Sequence, residues 1–178
     1  MLKWKILALV GTTYGGCRRT GWALIVALAI ASSTNAQQGT TNEWGVHGGD
    51  AGFTRYSSLD QIDVNTVHNL EVTWRRGAVD KSIEMKWPNL QYSNQLRSTP
   101  IMVDGVLYAS NGIGLVEAFD PGTGETIWVQ DSSFLGNATP RGTSNRGVAY
   151  WESGDDRRIF SIRPPYLIAT ATDSGKMI

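Results

Sequence analysis

From residue 43 onward, short apolar runs alternate with clusters of turn-forming residues. The clearest runs are residues 101–103 and 106–109, which are separated by Asp104 and Gly105. An Asp-Gly pair between two apolar runs is a strong hairpin signal, because both residues accept the positive φ of a tight turn. The pattern therefore predicts two antiparallel strands joined by a two-residue turn.

Two further apolar runs follow this hairpin, at residues 115–119 and 125–129. Between them lies the turn cluster 120–124, in which Pro121 presets φ and two glycines accept positive φ. Four strands within roughly thirty residues predict a four-stranded meander, which is the size of one β-propeller blade.

Part of this meander recurs 51 residues later. The matching pairs are Ala118 and Ala169, Thr123 and Ser174, Gly124 and Gly175, Glu125 and Lys176, and Ile127 and Ile178. The same offset predicts a partner for Trp128 at position 179, one residue beyond Ile178, and Trp74 ends an apolar run 54 residues before Trp128. A period near 50 residues with a closing tryptophan indicates a propeller. The alternative is a chance similarity between two hairpins that contain glycine.

No strong helical period runs through residues 43–178. Short helical turns are predicted only at residues 58–63 and 65–70, with Ser58 and Asn65 as candidate N-caps. Seven tryptophans and twenty glycines, with only 18% charged residues, also favour an all-β chain with frequent turns.

The first 36 residues have the pattern of a secretory signal peptide. Lys3, Lys5, Arg18 and Arg19 supply positive charge, residues 22–31 form an apolar core, and residues 34–36 offer a small-residue cleavage site. A membrane anchor is the alternative, but ten apolar residues span only about 15 Å of a bilayer core of about 30 Å. We therefore predict a domain at residues 37–178 and a periplasmic location.

Charge and cysteine content argue against nucleic-acid binding, a disulfide and a thiolate metal site. The formal net charge is zero, and removal of the predicted signal takes away four basic and no acidic residues, which leaves a formal charge of −4. This balance gives no electrostatic case for binding nucleic acid. Cys17 is the only cysteine and lies within the predicted signal, so residues 37–178 have neither a disulfide nor a thiolate metal site.

Several motifs, taken in order, resemble the quinoprotein dehydrogenases, which use pyrroloquinoline quinone (PQQ). Residues 44–50 (Trp-Gly-Val-His-Gly-Gly-Asp) and 54–62 resemble the opening of the mature alcohol and glucose dehydrogenases of this family. Residues 98–108 match the next family segment, and residues 145–151 (Asn-Arg-Gly-Val-Ala-Tyr-Trp) match the one after it. The resemblance covers nearly all of residues 43–178 and identifies the chain as an N-terminal fragment of such an enzyme.

This resemblance implies an eight-bladed propeller that holds PQQ on its axis, with Ca²⁺ or another metal beside the quinone. Family members oxidise an alcohol or sugar hydroxyl to a carbonyl, and the electrons pass to a cytochrome or to ubiquinone. The expected fold is therefore all-β, a partial β-propeller made of the first blades of that ring. The family's metal ligands and its catalytic aspartate lie in later blades, so neither a metal ligand nor a catalytic residue is assigned in this chain.

Two arginines are the candidate cofactor-binding residues. PQQ carries three carboxylates, and the planar fork of arginine pairs bidentately with a carboxylate. Arg146 matches the family arginine that contacts PQQ, although it could instead satisfy loop carbonyls. Arg97 stands where many family members place Glu or Gln near the cofactor, so it pairs either with a PQQ carboxylate or with a neighbouring acid.

Other polar residues are weaker candidates. Pro140 and Arg141 stand where one subgroup of alcohol dehydrogenases carries adjacent cysteines over the quinone, which argues against that subgroup. Asp155 and the acid that follows it come after Ser-Gly and predict a solvated hairpin turn rather than a metal site. His47 and His68 have no second ligand at metal-binding spacing.

Two alternative functions remain open. The first is a non-enzymatic propeller of the same repeat type that acts as an interaction scaffold in the cell envelope. Such a scaffold needs no arginine facing PQQ, so the motif at residues 145–147 weighs against it. The second is an inactive truncated product, because two to three blades leave open sheet edges that invite aggregation.

Overall fold

The computed structural model describes residues 43–137, 139–143 and 145–178. The predicted signal at residues 1–36 lies outside the described residues, and so does the start of the predicted domain at residues 37–42. Within the described part, no helix is both long enough and apolar enough to cross a membrane.

The first sheet is an antiparallel meander of four strands in the order β1-β2-β3-β4. Its strands are β1 (Ile101–Val103), β2 (Val106–Ser110), β3 (Val116–Phe119) and β4 (Thr126–Val129). Asp104 and Gly105 form the tight turn, with φ of 51° and 74°. The predicted meander is therefore confirmed, with β3 and β4 each beginning one residue later than the apolar pattern suggested.

The second sheet repeats this arrangement. Strands β5 (Ala149–Ser153), β6 (Asp156–Arg163) and β7 (Tyr166–Ala171) are antiparallel neighbours in that order. Met177 then bridges Thr170, as Thr126 pairs with Phe119 in the first sheet. The two pairs are 51 residues apart, so the 51-residue repeat in the sequence corresponds to the same strand pairing in both sheets.

The main hydrophobic core lies between the two sheets. The first sheet contributes Ile101, Val103, Tyr108, Val116, Ala118 and Trp128, and the second part of the chain contributes Val148 and Ile159. A second cluster, made of Val79, Ile83, Trp87, Ile113 and Leu115, joins the first sheet to the segment that precedes it. All four residues of β3 are buried, as expected for a strand near the middle of the packed structure.

The helical elements agree with the prediction only in part, since the helical turn predicted at residues 65–70 is confirmed by a 3₁₀ helix. The helix α1 (Lys81–Lys86) was not predicted, although Asp80 caps it by accepting a hydrogen bond from the Ser82 backbone N–H at 2.8 Å. The prediction of a helical turn at Ser58 is wrong. Asn65 is not an N-cap either, because the Asp63 carboxylate holds its N–H in a turn and the 3₁₀ helix Val67–Asn69 begins after Thr66.

Each sheet is joined to the unit before it by a tryptophan that rests on a glycine turn. Trp74 Nε1 donates to the Pro121 carbonyl at 2.9 Å, and a methyl carbon placed on Gly124 would lie 2.6 Å from the Trp74 ring. One repeat later, Trp128 Nε1 donates to Thr172 at 2.8 Å, and its ring lies against Gly175. Both glycines have positive φ, 72° and 71°, so backbone conformation and ring contact both require glycine.

A buried ion pair fixes the segment around α1 to β3. The Arg76 guanidinium bonds the carboxylate of Glu117, which is 4% exposed, and lies over the Phe119 ring at 4.4 Å. Glu117 also accepts from Asn111 Nδ2 at 2.8 Å and from the Asp80 backbone N–H at 3.0 Å. Burial nevertheless raises the pKa of Glu117, which indicates that the carboxylate is largely shielded from water. Removal of either charge would leave the other one buried without its partner and would destabilise the fold.

The ring contact on Gly124 predicts a large loss of stability for Gly124→Ala. We expect the free energy of unfolding to fall by about 3 kcal/mol, because the methyl group must displace Trp74 and alanine must adopt positive φ. The matched control is Gly105→Ala, which has similar φ and open space around the new methyl group, and which should lose only about 1 kcal/mol. Urea unfolding followed by circular dichroism measures both, and equal losses would contradict the role of the ring.

The buried ion pair predicts that Glu117→Gln destabilises the fold by about 3 kcal/mol, because Arg76 keeps a buried charge without its counter-ion. The control is Asp104→Asn, which breaks the exposed pair that Arg157 makes with Asp104 at 2.7 Å. That change should cost at most about 1 kcal/mol. The same unfolding measurement compares the two variants, and a loss below 1 kcal/mol for Glu117→Gln would argue against this role.

Candidate functional site

One end of the two sheets gathers residues from distant parts of the sequence. At this end β1 and β5 begin and β2 and β6 finish, because neighbouring strands run in opposite directions. The Thr99 backbone N–H donates to the Arg146 carbonyl at 3.0 Å, which joins the segment before β1 to the segment before β5. Ser98 Oγ accepts from the Ser110 N–H at 3.0 Å, which fixes the same segment to the end of β2. We call this the arginine end.

An open cavity of about 250 Å³ lies at the arginine end and is lined by His47, Arg97 and Arg146. The Arg97 guanidinium donates to the Gln95 side-chain carbonyl, and both arginines are exposed to solvent. Within the described residues no ion pair includes Arg146. The cavity therefore presents two permanent positive charges to solvent, which suits an anionic ligand.

His47 enters the cavity because the chain before β1 folds back on the sheet. Trp44 bridges Met102, and His47 follows in a turn in which its ring packs on Phe53 at 5.5 Å. A methyl carbon placed on Gly147 would lie 3.6 Å from His47 Nδ1, so the backbone beside Arg146 approaches this imidazole closely. The side-chain pattern predicts no site role for His47, because the position of this residue depends on the backbone bridge between Trp44 and Met102.

The other polar candidates lie away from this cavity. Asp155 sits in the β5–β6 turn and Asp156 bonds Arg158 at 2.5 Å, so the predicted hairpin turn is confirmed. His68 is exposed in the 3₁₀ helix. Throughout residues 43–137, 139–143 and 145–178, no group of three or more His, Cys, Asp or Glu side chains could hold a metal ion.

The fold is a pair of stacked antiparallel units with a cationic end, and comparison with known proteins identifies its class. Residues 44–178 match the family model described as PQQ: Glucose/ethanol/alcohol dehydrogenase, beta-propeller domain. The chain therefore belongs to the PQQ-dependent dehydrogenase family, and the expected partial β-propeller is confirmed.

Individual relatives agree with the family model. The chain is 31% identical over 170 residues to the dehydrogenase subunit of a quinone alcohol dehydrogenase from Gluconacetobacter polyoxogenes, which covers 88% of this chain and 21% of that protein. It is also 31% identical to the quinohemoprotein alcohol dehydrogenase of Comamonas testosteroni, over 84% of this chain and 20% of the relative. The crystal structure of that enzyme superposes with a TM-score of 0.59, at 30% identity, and covers 82% of this chain and 20% of the solved chain. The chain thus spans about one fifth of the length of these relatives.

The residues at the arginine end fit a ligand rich in carboxylates. Arg97 and Arg146 offer charged donors, and an arginine fork can bind a carboxylate with two parallel hydrogen bonds. Assignment of Arg97 and Arg146 to PQQ remains a prediction, now supported by their shared cavity.

Proposed function

We propose that this chain supplies the first blades, and part of the cofactor site, of a PQQ-dependent dehydrogenase. The observation that carries the proposal is the cavity that Arg97 and Arg146 both line. When bound, PQQ supplies the capacity to accept two electrons from a substrate. The chain's own residues bind and orient it: Arg146 holds one carboxylate, and Arg97 holds a second.

The substrate we propose is a compound with an alcohol or sugar hydroxyl, which is oxidised to a carbonyl, and the electron acceptor is a cytochrome or ubiquinone. The names of the relatives support this class, because they are alcohol dehydrogenases described as quinone-linked or as quinohemoproteins. The metal that the family places beside the quinone, Ca²⁺ or another ion, would be held by residues outside this chain. The scaffold alternative is less favoured, because a purely structural propeller has no need of a cationic cavity.

The proposal predicts that Arg146→Gln weakens the binding of PQQ. We expect Kd to rise roughly tenfold to a hundredfold, because a hydrogen bond between charged groups is worth about 1.5–3 kcal/mol. Arg158→Gln is the matched control, since Arg158 is paired with Asp156 in the described structure and should leave Kd unchanged. Equilibrium dialysis of PQQ with Ca²⁺ present measures both variants. Failure of the unmodified protein to bind PQQ would overturn the proposed function.

Export to the periplasm is part of the proposal and has its own test. Residues 1–36, fused to a reporter phosphatase that is active only after export, should give activity in the periplasmic fraction of a bacterial host. Replacement of two leucines in the apolar core, Leu24→Arg with Leu28→Arg, should abolish that activity, because a charged core no longer enters the export machinery. A fusion protein retained in the cytoplasm would exclude this location.

A further inference from the structure

Arg163 is a third arginine at the arginine end. The pairing of β5 with β6 begins with Ala149 opposite Phe160, and Arg163 is the last residue of β6, so it lies at the end of the sheet where β5 begins. Alternation along β6 puts Arg163 on the same face as Ile159 and Ser161, which are 0% and 2% exposed, and Ile159 packs in the core shared with the first sheet.

The Arg163 side chain crosses from the second sheet to the first. Its Nη1 donates to the carbonyl of Ile113, in the turn that follows β2. A methyl carbon placed on Gly114 would lie 3.2 Å from this nitrogen and 3.6 Å from Asn145 Nδ2. Asn145 in turn donates to Ser110 Oγ at 3.4 Å. The guanidinium therefore lies beside the residue that immediately precedes Arg146.

Arg163 is a half-buried cation. Among the described residues no ion pair includes it, and burial lowers the pKa of its guanidinium. The Ile113 carbonyl uses one of the five N–H donors that an arginine carries. Two residues earlier on the same face, the buried Ser161 hydroxyl also lacks a partner. A half-buried guanidinium with unused donors is suited to bind a carboxylate that supplies the counter-charge.

We propose that Arg163 is a further anion-binding residue of this site and that it takes a carboxylate, either one of the cofactor or one of an acidic substrate. The assignment rests on the proposed function, because the same cavity must first bind PQQ. It extends that function by adding a third cation, contributed by the second sheet, to the two arginines that line the cavity.

The first experiment measures PQQ binding by equilibrium dialysis in the protein as its gene encodes it. If Arg163 holds a cofactor carboxylate, Arg163→Gln should raise Kd by roughly tenfold or more. Arg157→Gln is the control, because Arg157 lies at the opposite end of β6 and pairs with the exposed Asp104. Arg163→Lys keeps the charge but loses the planar fork, and should raise Kd by a smaller factor.

The second experiment separates the two sources of the carboxylate. The PQQ-loaded protein is titrated calorimetrically with 4-hydroxybutyrate and with 1-butanol, which share a four-carbon chain and differ in the carboxylate. If Arg163 serves an acidic substrate, Arg163→Gln should weaken only 4-hydroxybutyrate binding and leave the Kd of PQQ unchanged.

The outcomes are distinct. A folded Arg163→Gln that binds PQQ and both alcohols as the unmodified protein does would overturn the assignment and leave the proposed function standing. If Arg163→Gln does not fold, unchanged binding of all three ligands by Arg163→Lys overturns it equally. If the unmodified protein does not bind PQQ, the proposed function and this assignment fail together.

Discussion

The contact between a tryptophan ring and a glycine turn is the interaction on which the rest of this structure depends. Trp74 on Gly124 and Trp128 on Gly175 use the same hydrogen bond, the same close ring contact and the same positive φ, one repeat apart. A side chain at either glycine would push the ring away, so the spacing between units is fixed by the backbone itself. Because the contact recurs, the second sheet is joined to the first in the same way as the first sheet is joined to the segment before it.

This repeated junction between the sheets brings Arg97 and Arg146 together. In the two stacked sheets the first strands, β1 and β5, begin at the same end, so segments about 50 residues apart in sequence become neighbours. Arg97 and Arg146 precede β1 and β5 and meet in one cavity for this reason. The repeat therefore determines the fold and also the charge of the site, because basic residues from successive repeats lie on one surface.

Some of this could be read from the sequence and some could not. The hairpin at Asp104 was predictable because turn chemistry is local, and the repeat was visible because register is conserved at a fixed offset. The helix α1 was missed because six residues are too few to show a helical period, although Asp80 was an available N-cap signal. The place of His47 depends on the bridge between Trp44 and Met102, and that of Arg163 on the packing of two sheets. Such long-range contacts leave no trace in local patterning.

The resemblance places Arg97 where many family members carry Glu or Gln, and this difference bears on the charge of the proposed site. An acid at this position would offset one neighbouring arginine, whereas Arg97 adds a second positive charge to the cavity that Arg146 lines. Arg163 donates to the Ile113 carbonyl at the same end, so three arginines of this chain lie there, and bound anions or salt reduce the repulsion between neighbouring positive charges. This accumulation of positive charge favours ligands of high negative charge. A cofactor with three carboxylates satisfies this requirement, and a neutral ligand of the same size does not.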